Sequence, residues 1–390
     1  MRDTLKTIHV NHLPEPTWNR LLVNYARVEL DSLKEFENTF EFSIENAQDV
    51  RIESVNTGDA VRFAASHTGG IRREAHPAGK AYIYQEQDFA SGMGKEFTDL
   101  MERLALKTDI ITLGEGQKLN DPLILKWDFA KSGRAASRHI IHAKKDSRAT
   151  LILISESAKK AKGTAAIETK LILEEGADIR LIKVNLLSDS FMMLDDTAIA
   201  EADRASLEYT QMILGGGKTY TGCYADQAGR DCELRINSGY MTCREQMLDI
   251  NYVSCIRGSG AKCRINVKGS LRGRASKTFR GTIDFRRGAK GAVGDEQEDV
   301  LLLDEGVVNK TMPVILTEED DVDARHGSTI GNLAKEVLFY MGSRGIDRAT
   351  AEMLITRGYL FNIANTIPDE ETVRKINLFI KEAFERHECF

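Results

Sequence analysis

The sequence predicts a mainly β fold: a parallel β-helix (solenoid) core with an N-terminal mixed α/β cap and a C-terminal α-helical region. From about 140 to 315, short β-rich segments such as 150–154 and 179–184 alternate with turn signals. Alanines also share one 28-residue register, at Ala149, Ala177, Ala205, Ala261 and Ala289, which only position 233 interrupts. A strand-rich repeat of this length indicates turns stacked about 4.8 Å apart. The alternative is coincidence, because alanine is a common residue.

The chain divides into three predicted regions, a cap over 1–125, a β-helix over 126–329 and a helical region over 330–390. In the cap, apolar and polar residues alternate over 40–44 and 50–55, the period of half-buried strands. Phe97, Leu100, Met101 and Leu104 then recur at helical spacing, which predicts a short amphipathic helix over about 94–107.

The third region changes to a helical period at Ile330. Apolar residues over 330–341 form one helix face, and Asp347 is a plausible N-cap of a second helix with Gly358 as its C′ residue. Pro368 and the three acids after it predict the start of a last helix, whose apolar face runs from Val373 to Phe384. These helices would hide the open edge of a solenoid.

Composition and charge narrow the function classes. The chain has 390 residues, a formal net charge of −6 and 42% hydrophobic residues, which fits a globular protein and argues against a dedicated nucleic-acid binder. No run approaches 18 apolar residues, so we expect no membrane span, and the first residues lack an apolar signal region. We therefore expect a cytoplasmic protein whose six cysteines are reduced thiols.

Charge is distributed unevenly near the end of the β-rich region. Residues 262–290 carry ten Lys or Arg against one acid, and residues 295–323 carry eleven acids against one base. The basic block would suit a phosphate backbone. Pairing between stacked strands is the favoured interpretation, because aromatic residues for base stacking are nearly absent from the block.

A few residues could carry chemistry. His326 lies between Arg325 and Gly327 where strand-like patterning ends; a neutral imidazole is a common metal ligand, and a solvated surface histidine is the alternative. Five of the six cysteines fall within 41 residues, without any CxxC spacing. Of these, Cys223, Cys255 and Cys263 are candidate thiolate ligands, with small buried core residues as the alternative.

A second function class is a β-helix carbohydrate-active enzyme. Adjacent acids such as Asp195 with Asp196, or Asp320 with Asp321, supply the carboxylate pairs that glycoside hydrolysis uses. Such enzymes also use aromatic sugar platforms, and this chain has only 7% aromatic residues and two tryptophans. This alternative is therefore weak.

Several motifs, in order, carry a resemblance to a known family. The segments 281–285, 289–292 and 301–304, followed by 324–359, together resemble the SufB/SufD family of iron–sulfur cluster assembly proteins, and the likeness extends over about 130–360. The resemblance implies a right-handed parallel β-helix that serves as a non-catalytic subunit of the SUF scaffold complex. It also implies two partners: an ABC-type ATPase of the SufC type, bound through the C-terminal helices, and a SufB-type paralogue or a second copy, bound through the β-helix.

Two positions favour the SufD-like branch. Scaffold-type SufB members carry a cysteine where this chain has Glu298, and a carboxylate where it has Gly327. The resemblance implies that His326 is a cluster or iron ligand at a subunit interface, with Glu298 as a candidate oxygen ligand. The iron–sulfur cluster would then be transient and shared, with none tightly bound to the isolated chain. The alternative is a homodimeric SufB-like scaffold that recruits the cysteine thiols itself.

The same resemblance points to an ATPase-binding segment. An apolar cluster followed by an Arg-Gly stop matches the family at Leu338, Phe339, Tyr340, Arg344 and Gly345. The alternative for Leu338 is that it only packs within the helical region.

Overall fold

The computed structural model describes residues 6–15, 22–30, 40–68, 91–105, 107–129 and 133–385. It confirms the predicted fold class: a β-solenoid of about eight turns is followed by a C-terminal helical region. In the chain order of the described residues, the strands are β1 (Lys6–Val10), β2 (Ala26–Leu30), β3 (Glu41–Glu45), β4 (Arg51–Asn56), β5 (Lys107–Leu113), β6 (Leu123–Phe129), β7 (Gly133–Ala143), β8 (Arg148–Ser157), β9 (Gly163–Leu173), β10 (Asp178–Leu186), β11 (Phe191–Glu201), β12 (Ser206–Ile213), β13 (Lys218–Gln227), β14 (Glu233–Thr242), β15 (Met247–Ile256), β16 (Lys262–Leu271), β17 (Ser276–Phe285), β18 (Ala292–Leu302), β19 (Val308–Thr317) and β20 (Val322–Asn332). The helices are α1 (Thr57–Thr68), α2 (Lys95–Leu104), α3 (Lys335–Ser343), α4 (Arg348–Ala364) and α5 (Glu370–Glu385).

Successive strands alternate between two nine-stranded sheets. One sheet has the order β20-β18-β16-β14-β12-β10-β8-β6-β3 and the other β19-β17-β15-β13-β11-β9-β7-β5-β4. Pairing is parallel except at one end, where β3 and β4 run antiparallel to β6 and β5. Because β3 and β4 cover 40–44 and 50–55 almost entirely, the two strands predicted in the cap are confirmed, and they extend the solenoid sheets.

The repeat is real, but its predicted fixed length is wrong. Met192 lies opposite Lys218, which is a shorter step along the chain than the predicted repeat. Ser276 lies opposite Val308, which is a longer step. Backbone hydrogen bonds keep the strands stacked, so the corners between them can differ in length.

A column of small buried residues runs along one sheet, at or just before the start of successive strands. Its members are Ser147, Ala177, Ala205, Cys232, Ala261 and Ala292. The backbone oxygen of each of the first five accepts a hydrogen bond from the next turn. Three of the five alanines singled out from the sequence belong to this column. Ala149 and Ala289 do not, because the steps between the turns at those positions are longer than the predicted repeat.

The N-terminal segment packs across the outer face of the odd-numbered sheet. The ribbon β1–β2 and α2 form an apolar cluster with Ala136, Leu194 and Tyr220 of that sheet. Gly92 lies directly on the sheet, since a Cβ there would be 2.1 Å from the Cys223 backbone nitrogen. Helix α2 confirms the amphipathic helix predicted over about 94–107, whereas α1 was not anticipated.

The C-terminal helices cover the outer face of the even-numbered sheet. Ile376 and Phe384 of α5 pack with apolar sheet residues such as Ile182, so the predicted face of the last helix is confirmed. Asp347 also caps α4 as predicted, because its carboxylate accepts a hydrogen bond from the Thr350 backbone nitrogen at 2.9 Å.

Two boundaries in this region are wrong. Strand pairing with β18 keeps β20 extended through Asn332, so the helical structure begins at Lys335 rather than at Ile330. Gly358 is not a C′ residue, because α4 continues through it to Ala364. Leu360, Ile363 and Ala364, which follow Gly358, are buried against the sheet, and this burial outweighs the weak helix propensity of one glycine.

Candidate functional site

His326 lies on β20, the last described strand of its sheet. Among the described strands it has one neighbour, β18, and its imidazole is exposed. In β18, every second residue from Ala292 to Val300 is buried and points toward the solenoid interior. By register, His326 stands on that same side, at the end of the stack where no further turn covers it among the described residues. The histidine is therefore accessible from outside the end of the solenoid.

Glu298 occupies a different environment. Its carboxylate is buried and forms an ion pair with the buried ammonium of Lys277, while its Oε2 accepts a hydrogen bond from the Thr311 hydroxyl at 2.6 Å. Burial lowers the pKa of Lys277, and the adjacent Glu298 charge opposes that shift. Both carboxylate oxygens are engaged, so Glu298 would have to leave this pair before it could serve as the predicted oxygen ligand.

A second carboxylate, Glu296, was missed from the sequence. It lies opposite His326 in the register of β18 and β20, is only 1% exposed, and its Oε2 has no hydrogen-bond partner among the described residues. Burial, and then the nearby Glu298, raises the pKa of Glu296 to about 8. The alternation of β18 could have identified Glu296 from the sequence. Residues 296 and 298 point to the same inward side of the strand as the apolar Val300.

The five cysteines within the described residues are all free and buried. Burial raises their pKa values, to about 12 for Cys243, Cys255 and Cys263. Cys223 and Cys255 lie on neighbouring strands but at different positions of the register, so they do not face each other. In this structure the thiols pack as small core residues, and their use as ligands stays a prediction. Across the described segments, no three His, Cys, Asp or Glu side chains are grouped so that they could hold a metal ion.

The opposite charge blocks pair between stacked strands, as favoured from the sequence. Lys268 lies in register with Asp299, and its ammonium is 2.9 Å from that carboxylate. In the same strand pair, the Arg264 guanidinium is 3.8 Å from the Asp295 carboxylate. These pairs neutralise part of the basic block within the fold.

Asp195 and Asp196, one of the two adjacent acid pairs proposed for a carbohydrate-active enzyme, do not share a cleft. Asp195 points into the solenoid and contacts the buried Lys183 ammonium at 2.7 Å. Asp196 points to the opposite face, where it accepts a hydrogen bond from the Met93 backbone nitrogen at 2.8 Å. Strand alternation separates the two carboxylates, so they cannot flank one glycosidic bond.

Helix α3 presents an apolar surface. It contains no buried residue, and Phe339 and Tyr340 are 79% and 59% exposed. The Arg344 guanidinium lies 5.3 Å from the centre of the Tyr340 ring, and Gly345 adopts a φ of 82° at the bend into α4. Of the five residues predicted to bind an ATPase, only Leu338 is half-buried; the other four are exposed.

None of the described helices has the length and apolar character needed to cross a membrane.

Comparisons with known proteins point to one family. The family model described as SUF system FeS cluster assembly, SufBD core domain, matches residues 129–359, more than half of the chain. The chain is 31% identical over 119 residues to the iron-sulfur cluster assembly protein SufD of Bacillus subtilis, which covers 30% of this chain and 27% of that protein. It is 25% identical over 288 residues to SufD of Escherichia coli, which covers 70% of this chain and 66% of that protein.

A chloroplastic iron-sulfur cluster assembly SufBD family protein of Arabidopsis thaliana is also similar. It is 25% identical over 172 residues, which cover 44% of this chain and 31% of that protein. The chain thus spans about a third or less of the Bacillus and Arabidopsis relatives and about two thirds of the Escherichia relative.

Proposed function

Because the chain belongs to the SufB/SufD family, whose members act in SUF iron–sulfur cluster assembly, we propose that it is a SufD-like, non-catalytic subunit of the assembly scaffold. It would use two separate docking surfaces, one on helix α3 and one at the end of the solenoid. The exposed apolar surface of α3 is the observation that carries this proposal. A helix that buries none of its residues and exposes two aromatic rings suits a protein–protein contact.

The partner at α3 is an ABC-type ATPase of the SufC type. Phe339 and Tyr340 would enter an apolar pocket of that partner, with the Arg344 guanidinium held over the Tyr340 ring. Arg344 and Gly345 at the end of the helix would fix its angle to α4. Leu338, which is half-buried, would serve mainly to hold α3 against the rest of the chain.

The partner at the solenoid end is a SufB-type paralogue or a second copy of this chain. The exposed edges of β19 and β20, with Val308 and Ile330 accessible, support this surface. His326 lies in it, so the cluster would be cargo shared with the partner. The donors of the described residues fit a shared site rather than a complete one, since their thiols are buried and His326 supplies an exposed imidazole at this end. Assembly would take place in the cytoplasm.

Anaerobic co-purification tests the proposal. We expect the full chain to retain a co-expressed SufC-type ATPase, and Phe339→Ser to abolish that retention. Phe361→Ser is the matched control, because Phe361 is an exposed aromatic residue on the neighbouring helix α4 and lies outside the proposed contact. A complex that never forms, with or without ATP, would overturn the ATPase contact.

The role of His326 is tested in the same complex. His326→Ala should leave the complex intact while the yield of cluster falls, as measured by visible absorption and iron content. An unchanged cluster yield would remove His326 from the site.

A further inference from the structure

Glu296 stands opposite the exposed His326 on the neighbouring strand. The two residues are register partners on neighbouring parallel strands, so their side chains leave the sheet on the same side, about 4.8 Å apart at the backbone. His326 is reached from outside the solenoid end, and Glu296 lies one strand deeper. The register therefore places a buried carboxyl group one strand inward from an exposed imidazole.

Glu296 is not explained by the packing around it. A carboxylate that is 1% exposed normally has partners for both oxygens, yet its Oε2 has none among the described residues. The fold makes room for this group: a Cβ on Gly281 would stand 2.2 Å from the Glu296 Oε1 atom. Glu296 thus packs against a glycine and keeps its Oε2 atom unpartnered among the described residues, which leaves that oxygen available to a ligand.

Glu298 provides the contrast two positions away. Its oxygens already contact the Lys277 ammonium and the Thr311 hydroxyl. Removing Glu298 from that pair would leave a buried ammonium without its counter-charge, which is a large energetic penalty. Of the two inward-facing carboxylates on β18, Glu296 is thus the one with a free coordination position.

We propose that Glu296, rather than Glu298, is the carboxylate that joins His326 in a half-site for a single divalent iron ion at the open end of the solenoid. An imidazole nitrogen and a carboxylate oxygen suit a lone divalent first-row metal, whereas iron–sulfur clusters are held chiefly by thiolates. Two protein donors are an incomplete shell, so water and a partner across the open end supply the rest. The inference rests on the proposed function for the identity of the metal as iron.

The test is metal binding by the full, folded chain without any other protein. Anaerobic equilibrium dialysis against Fe(II) measures affinity, and Co(II) absorption reports on coordination. Glu296→Gln has the same shape as the native residue and removes one oxygen donor. We expect Glu296→Gln and His326→Ala each to weaken Fe(II) binding by about tenfold or more. The double variant should bind Fe(II) little more weakly than either single variant, because the two residues hold one ion.

Asp295→Asn is the matched control, since Asp295 is the adjacent residue on β18 and contacts Gln297 and Arg264 away from the interior. Its Fe(II) affinity should stay within about twofold of the unmodified chain, and circular dichroism should show all variants folded. Unchanged affinity in folded Glu296→Gln, or an equal loss in Asp295→Asn, would overturn the half-site. A chain that binds Fe(II) through Glu296 but never joins an ATPase complex would overturn the proposed function and leave this site standing.

Discussion

In this solenoid, the burial and the charge partners of a residue depend on which face of its strand it occupies. Asp195 and Asp196 are neighbours in sequence, yet one is neutralised by the Lys183 ammonium inside the solenoid and the other is buried under the N-terminal segment. Burial, and then the nearby Glu168, raises the pKa of Asp196 to about 7, while hydrogen bonds from the N-terminal segment and the Lys183 charge act in the opposite direction. The fold therefore holds a carboxyl group that takes up a proton near neutral pH.

This raised pKa predicts a pH-dependent stability. Between the ordinary pKa of 3.8 and about 7, the folded chain binds a proton at Asp196 that the unfolded chain has lost, so stability falls as pH rises through this window. Asn at this position cannot ionise. Asp196→Asn should therefore gain stability relative to the unmodified chain between pH 5 and pH 8, by roughly 2–3 kcal/mol at about 1.4 kcal/mol per pKa unit.

Urea unfolding at several pH values measures this difference. Glu53→Gln, at an exposed acid on β4, is the control. A stability difference for Asp196→Asn that stays flat from pH 5 to pH 8 would show that Asp196 does not carry the linkage.

At this same scale, Glu296 was missed from the sequence, whereas His326 on the neighbouring strand was singled out and its role stays a prediction. Its position before a change of pattern, together with the family resemblance, was sufficient to single it out. The choice between Glu296 and Glu298 depends on Lys277 and Thr311, which lie on other strands and reach Glu298 across the solenoid interior. Such contacts between two sheets leave no local pattern, so a sequence alone does not indicate which of two alternate carboxylates is already paired.

Secondary-structure elements were predicted well where their signals were local. The N-cap of α4 is fixed by Asp347 and Thr350 within one turn, and the strands of the cap follow from simple alternation. The boundaries near Ile330 and Gly358 failed because tertiary contacts decide them: β18 holds β20 extended, and the even-numbered sheet buries the end of α4. The repeat length failed for a similar reason, since the hydrogen-bonded register tolerates turns of different lengths.

Because Gly358 lies within α4 and is not its C′ residue, its substitution gives a prediction for helix stability. Gly358 lies inside the helix and a Cβ there would meet no atom within 4 Å. Gly358→Ala should therefore stabilise the protein by about 0.5–1 kcal/mol, because alanine loses less backbone entropy than glycine in a helix. Thermal unfolding measures the change.

Gly345 supplies the matched comparison for this substitution. It also has open space around its Cα, but its φ is 82°, in the left-handed region. Gly345→Ala should destabilise the bend between α3 and α4 by about 1–2 kcal/mol. A lower unfolding temperature for Gly358→Ala would mean that the helix is interrupted there after all.

The whole molecule is asymmetric along its stacking axis. At one end, β3 and β4 run antiparallel to the strands that they border, so the parallel stack stops there. At the other end, the parallel stack stops at β19 and β20, and the outer edges of both strands lack a strand partner among the described residues. Helices α4 and α5 pack against the outer face of the even-numbered sheet rather than across this end. Long unpaired edges attract another chain, so this end is where we expect association.

An interface at that end predicts that one charged side chain placed in it prevents association, whereas the same charge placed elsewhere does not. Ile330 of β20 is 51% exposed in the isolated chain and would become covered by a partner; Ile330→Lys would place an ammonium there without a counter-charge. We expect Ile330→Lys to prevent association with a SufB-type paralogue or a second copy, as measured by sedimentation velocity and by co-purification. Leu378→Lys is the control, because Leu378 is 52% exposed but lies on α5. If association survives Ile330→Lys, or is lost equally in Leu378→Lys, the interface lies elsewhere. If both variants still retain the ATPase through α3, the two docking surfaces act separately.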